Sequence, residues 1–331
     1  MDRQRHHQNF LNAVGWGQSK RAELPADASF RRYFRLLLGG KTLVLMDSPP
    51  PYEDTRKFVA IANHLRDIGL TAPKIFEEDH ENGFLLLEDF GNSKFSEMLK
   101  TAGNRSEQDL YREAVTLLCA LQHFPPPSWL PRYTTEILLQ EANLFVDWYW
   151  PEIKSTPISV AERNSYHAAW EGVLATTQTE NNVLILRDFH VDNLMWLPER
   201  VGIRRVGLLD FQDALSGSPV YDLVSLLEDV RRDVAPNLVY DMREHYLTSR
   251  QLGADNFANL YSILGAQRST KILGIFTRLW RRDGKKQYLK LIPRTWRLLN
   301  NSLQNSALSP VQTWFDKHFP DSCRTIPNQV S

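Results

Sequence analysis

Cysteine is nearly absent: the chain has two thiols, Cys119 and Cys323, in 331 residues. Two distant thiols build neither a disulfide framework nor a paired-cysteine metal site, and a thiol-poor chain fits a reducing cytoplasm. Net charge is absent too. Thirty-nine basic residues balance 39 acidic ones, which removes the basic excess of a dedicated nucleic-acid binder. No window approaches the ~20 apolar residues of a membrane-spanning helix. The opening MDRQRHHQNFLNAVGW holds no apolar core of signal-peptide length. These absences point to a soluble, cytoplasmic protein whose partners include neither nucleic acid nor membrane. What is present is 42% apolar and 24% charged residues, the balance of an ordinary packed core. The length suggests about two domains at one per ~150 residues.

The first 90 residues read as β-rich. A helix over 3–16 carries Phe10, Leu11 and Val14 on one side. Strands over 30–38 and 42–46 flank the tight turn Gly39-Gly40, and the prolines at 49–51 stop the second. A helix follows, with Phe58, Ile61, Ala62, Leu65 and Ile68 at helical spacing and Gly69 beyond its end. Asn82-Gly83 then turns a second hairpin. After EDFGN (88–92) amphipathic helices dominate, over 110–124, 135–150 and 160–177, and again from 221 to about 304. Short strands at 183–186, 194–197 and 206–209 interrupt them. The expected division is residues 1–90 and 91–331.

The chemistry concentrates in LILRDFHVDNLMWL (184–197) and in LLDFQD (208–213). The first reads as a strand–loop–strand hairpin whose loop carries Asp188, His190, Asp192 and Asn193. In the second, Asp210 ends an apolar strand. Phosphoryl transfer uses this set: a carboxylate that takes the proton of the attacking hydroxyl, and an amide with a second carboxylate that hold Mg²⁺ against nucleotide phosphates. The spacing Arg-Asp-x-x-x-x-Asn, then Asp, follows the kinase pattern. Asp192 and Asp213 read as loop hydrogen-bonders.

These motifs resemble the aminoglycoside phosphotransferase branch of the protein-kinase-like fold. ADASFRRYFR, VLMDSPP, LLLEDFGN, LRDFHVDNLMWL and GLLDFQDA are together similar to bacterial anomeric N-acetylmuramate/N-acetylglucosamine kinases of peptidoglycan recycling. The resemblance covers most of 25–230. It implies an α+β, bilobal fold, with a small β-rich N-lobe covering the nucleotide and a larger helical C-lobe. It implies ATP and Mg²⁺ as cofactors and a small-molecule sugar as substrate. By resemblance Asp188 is the catalytic base, Asn193 and Asp210 are the Mg²⁺ ligands, and Asp222 braces the catalytic loop. His190, two residues after the base, would meet the transferred phosphate; packing under the hairpin is its competing role.

At the nucleotide end the turn ASFRRY (28–33) lacks the glycines of protein kinases. Ser29 and Phe30 N–H groups, with Arg31, Arg32 and Arg35, are the expected phosphate contacts, and Glu88, Asp89 and Phe90 the adenine-facing linker. The third strand lacks the kinase lysine; Met46 or Asp47 stands in its place. Glu228, Arg231 and Arg232 are candidates for the acceptor side, an arginine there pairing with the lactyl carboxylate of N-acetylmuramate. Phe145, Trp148 and Tyr149 have core-packing spacing. The basic stretch 268–297 reads as helices with a basic solvent face. Two alternatives stand beside the amino-sugar kinase: a kinase for an aminoglycoside, choline or homoserine, or a nucleotide-binding pseudokinase, which the missing lysine favours. The oligomeric state is not encoded in any pattern found.

Overall fold

A computed structural model describes residues 3–25, 30–50, 52–101, 103–178, 181–251 and 253–327. The chain forms two compact units: Met1–Leu117 with Val191–Ala214, and Leu118–His190 with Leu215–Ser331. The expected division near 90 falls inside the first unit, just after its last sheet strand.

The first unit opens with helix α1 (Arg3–Ala13) and a five-stranded antiparallel sheet. Its strands are β1 (Lys20–Glu23), β2 (Arg32–Leu38), β3 (Lys41–Asp47), β4 (Ile75–Asp79) and β5 (Phe84–Glu88), in the order β1-β2-β3-β5-β4. Strand β1 is KRAE, exposed at every position, so no apolar alternation announces it. Alternate residues Leu36, Leu45, Phe84 and Leu86 face one way, and Phe10 and Leu11 of α1 close over them. Helix α2 (Thr55–Asp67) starts at Asp54, whose carboxylate accepts from Arg56 N–H at 3.0 Å, and buries Phe58, Ile61, Ala62 and Leu65. Gly83 has φ +72°, and a Cβ there would stand 1.9 Å from the Ser48 carbonyl, so the β4–β5 turn accepts no side chain. Short α3 (Phe95–Met98) and α4 (Asn104–Leu121) follow.

The second unit is mainly helical: α5 (Thr135–Leu144), α6 (Trp150–Lys154), α7 (Val160–Ala175), α8 (Tyr221–Leu227), α9 (Pro236–Arg250), α10 (Ala254–Asp283), α11 (Ile292–Leu303) and α12 (Ser309–His318). The helix expected over 135–150 is broken by a wider turn, Phe145–Tyr149. That turn aims Phe145 and Tyr149 into an aromatic core with Trp296 and Phe319, the packing role their spacing predicts. A Cβ on Gly274 of α10 would lie 2.2 Å from the Leu144 carbonyl carbon, so only glycine permits that crossing.

The hairpin expected over 184–197 is overturned. Strand β6 (Val183–Ile185) pairs with β9 (Leu215–Gly217), and β7 (Leu194–Trp196) pairs with β8 (Val206–Leu208). The polar loop therefore joins two separate ladders. Each ladder is three residues long, and β9 is Leu-Ser-Gly, a sequence with no strand signal.

Strand β3, where Met46 or Asp47 was expected in place of a lysine, ends in a buried carboxylate. Asp47 accepts from Arg3 Nε at 3.0 Å and lies 2.7 Å from His7 Nε2, tying α1 to the sheet. Burial acts to raise its pKa, but His7 and Arg3 outweigh it and hold the carboxyl below the ordinary 3.8. Its contribution to stability is thus fully present above about pH 4 and is lost as pH falls through the lowered value. Asp47→Ala leaves Arg3 and His7 facing a buried gap; urea unfolding should show a loss of about 3 kcal/mol at pH 7.

Candidate active site

Each unit carries part of the expected chemistry. In the second unit, the loop after β6 holds Arg187 at φ +69°, a left-handed conformation unusual without glycine. Its neighbours restrain it. Asp222, at the start of α8 and 0% exposed, accepts from Leu186 N–H at 2.6 Å and Arg187 N–H at 2.9 Å. The Arg187 carbonyl accepts from Ser225 Oγ at 3.2 Å and Arg268 Nη1 at 3.4 Å. Its guanidinium bonds Glu141, which also receives Lys271 Nζ at 2.9 Å and the Tyr133 hydroxyl. Burial pushes the Asp222 carboxyl up to about 7, against its two amide donors and Arg268.

Asp188 follows Arg187, its side chain 48% exposed and Oδ1 3.9 Å from Arg268 Nη1. Desolvation by its surroundings works upward on its pKa. Arg268, Lys271, His190 and Arg187 outweigh this and hold the carboxyl below 3.8, ionised at neutral pH. His190 is buried, with Nε2 3.3 Å from Arg231 Nη1. Arg231 is fixed in turn through its N–H, which donates to Asp229 at 2.9 Å. Arg232 is half-buried in the segment between α8 and α9. Glu228 turns toward α10: its Oε2 would lie 2.7 Å from a Cβ on Gly265. Burial pushes its carboxyl up to about 8, against Arg243 and Arg268, so it is largely protonated at neutral pH.

In the first unit, Leu209 N–H donates to the Asn193 carbonyl at 3.0 Å, joining the segments that carry Asn193 and Asp210. Asp210 also has left-handed backbone, φ +56°. Arg31 Nη2 donates to Asp210 Oδ1 at 2.5 Å. The other two arginines of that turn are engaged elsewhere. Arg32 forks onto Glu23 at 2.8 and 2.9 Å, and Arg35 onto Asp89, Asn92 and the Gly91 carbonyl. Phe30 is exposed and stacks on Tyr52, ring centroids 4.9 Å apart. Ser29 lies outside the described residues. Glu88 accepts from Lys74 N–H at 3.1 Å and from Arg200, whose guanidinium stands 5.2 Å from the Phe90 ring centroid.

Mg²⁺ is usually held by one or two carboxylates, several waters and the substrate's phosphates rather than by an all-protein cage. Asn193 and Asp210 supply the hard oxygen donors such an ion takes.

Sequence reasoning missed Glu141, Arg268 and Lys271. Arg268 and Lys271 were grouped with a basic solvent face, yet both are buried. Their spacing of three, beside the apolar Leu264 and Ile272, was the available signal: two cations on a core-facing stripe of a helix.

An ionised carboxylate on a strained, braced loop, followed in the chain by an Asn–Asp pair, defines a phosphotransferase of the kinase type. The chain belongs to the phosphotransferase enzyme family, whose pattern it matches over residues 20–257. It is 34% identical to the N-acetylmuramate/N-acetylglucosamine kinase of Caulobacter vibrioides, across 95% of this chain and 96% of that one. To the Pseudomonas aeruginosa protein of the same name it is 35% identical, across 88% and 87%. Among solved structures, the choline kinase LicA of Streptococcus pneumoniae covers 91% of this chain, and 99% of its own length aligns, with TM-score 0.64 at 12% identity. ADP-bound aminoglycoside phosphotransferase APH(2'')-Ib covers 90% (97% of its own length) with TM-score 0.60 at 14% identity. The fold is thus the aminoglycoside phosphotransferase and choline kinase fold.

Glu228 provides a test of the electrostatics. Its folded-state pKa of about 8 lies above the ordinary 4.5, so its proton contributes stability below pH 4.5 that is lost as pH rises through 8. Glu228→Gln should remove on the order of 2 kcal/mol of the stability lost between pH 5 and pH 9. Urea titrations at the two pH values would read it, and an unchanged pH dependence would place that proton elsewhere.

Proposed function

We infer that the protein is an ATP- and Mg²⁺-dependent cytoplasmic sugar kinase that phosphorylates N-acetylmuramate and N-acetylglucosamine at the anomeric hydroxyl, in peptidoglycan recycling. The observation that carries this reading is the near full-length similarity to kinases of that name, and the kinase spacing of Asp188, Asn193 and Asp210 in this sequence supports it.

Asp188 accepts the proton of the attacking hydroxyl and orients its lone pair. A depressed pKa makes it a weak base but keeps it ionised, which suits a transfer that depends more on positioning and electrostatics than on basicity. Asn193 and Asp210 hold Mg²⁺, which offsets the charge of the phosphates. The β1–β2 turn and the segment 88–90 serve the nucleotide, in a small N-lobe.

The charges nearest Asp188 are Arg268, Lys271, His190 and Arg187. A cationic surround disfavours choline and aminoglycosides, which are cations, and suits a neutral or anionic acceptor. Arg231 receives the lactyl carboxylate that distinguishes N-acetylmuramate; its 28% exposure and its position beside His190 support this reading.

Purified protein with Mg²⁺ and labelled ATP, offered N-acetylmuramate, N-acetylglucosamine, choline, homoserine and kanamycin separately, tests the reading. Transfer to both amino sugars is expected, with phosphorus NMR locating the phosphate on the anomeric oxygen. Asp188→Asn should lower kcat about 10²–10⁴-fold while nucleotide still binds. Transfer to choline or kanamycin alone would discard the sugar. Arg231→Gln should lower kcat/KM for N-acetylmuramate at least tenfold relative to N-acetylglucosamine; an equal effect on both would remove Arg231 from carboxylate recognition.

A further inference from the structure

Arg31 is a buried guanidinium set among carboxylates. Its exposure is 5%, and it bonds Asp210, with Asp213 and Glu53 adding negative potential at the same cation. Gln212 Nε2 bridges Asp210 Oδ1 at 3.2 Å and Asp213 Oδ2 at 3.1 Å, fixing the two carboxylates. Arg31 and Gln212 thus both donate to Asp210 Oδ1. Lone pairs that serve a guanidinium are not available to a metal ion. Arg32 and Arg35 are committed to Glu23 and Asp89, and Asp47 to Arg3 and His7. Arg31 is therefore the cation of this turn that faces the metal-binding carboxylate.

A guanidinium recognises phosphate by the same two-pronged geometry it uses for carboxylate. We propose that Arg31 is an internal counter-ion of Asp210 that exchanges partners: nucleotide phosphate takes the guanidinium, and only then does Asp210 become a metal ligand. This rests on the kinase reading above and deepens it. The exchange gives a fold without the third-strand lysine a guanidinium with which to contact phosphate. It also couples two ligands. Phosphate that draws off the guanidinium frees Asp210 for the metal, and the metal in turn offsets the carboxylates around Arg31, so nucleotide and metal assist each other.

The test is a double-mutant cycle read in metal-free binding of ADP, with EDTA present, on the full chain. Asp210→Asn frees Arg31 and should tighten metal-free ADP binding about tenfold or more. In an Arg31→Met background the same change should have an effect of about twofold or less. An equal gain in both backgrounds overturns the exchange, because Asp210 would then act only as a nearby negative charge. Mn²⁺ alone is the second probe: Arg31→Met should bind it more tightly than the wild type, and equal affinity overturns the proposal. Arg31→Gln, shorter and neutral, carries the same expectations if the Met variant does not fold. Failure of the wild type to bind ADP even with Mg²⁺ would overturn the kinase reading and the exchange together. Tight binding without coupling between Arg31 and Asp210 overturns the exchange alone.

Discussion

The geometry of the second unit's site rests on one buried carboxylate. Asp222 is fully enclosed, yet both its oxygens are spoken for by the amides of Leu186 and Arg187. A left-handed arginine costs on the order of 1–3 kcal/mol and persists only where its surroundings over-determine it. Here they do, through its amide, its carbonyl and its guanidinium at once. The reversal of backbone direction at Arg187 turns Asp188 out of the β6 strand line. Helix α8 is thus a fixed reference for Asp188, and α10, through Arg268, is a second. Such a loop is organised before substrate arrives, so little free energy is spent on ordering it at the moment of reaction.

The same region shows how a charged interior stays balanced. Glu141 serves Arg187, Lys271 and the Tyr133 hydroxyl. Burial alone would drive this carboxylate to protonate, but Lys271 and Arg187 hold it below 4.5. Its negative charge lets two cations sit close to Asp188 without repelling each other into solvent. Asp188 consequently keeps its charge beside Arg268, Lys271 and Arg187 although the whole chain is neutral.

The family was legible because kinase chemistry fixes a spacing in the chain: Asp188, Asn193 and Asp210 follow the Arg-Asp-x-x-x-x-Asn, then Asp, pattern. The apolar alternation of β2, β3 and β5 and the helical stripe of α2 were legible for the same reason, a period written locally. What escaped was non-local. The pairing of β6 with β9 and of β7 with β8 depends on partners about 30 and 12 residues away, over ladders too short to carry a pattern. Strand β1 escaped because an exposed edge strand of Lys, Arg, Ala and Glu has no alternation to read. Arg268, Lys271 and Glu141 escaped because hydropathy treats charge as surface, whereas each is stabilised inside by an opposite partner.

Asp47 carries a consequence for how this chain can change. Its charge at the end of β3 is held by Arg3 and His7, two side chains of α1 fitted around it. Introducing lysine at that position would set an ammonium against the Arg3 guanidinium in a buried space where His7 packs on Phe34 and Phe84. A reversal of charge there is therefore closed to single substitutions and needs Arg3 and Asp47 to change together.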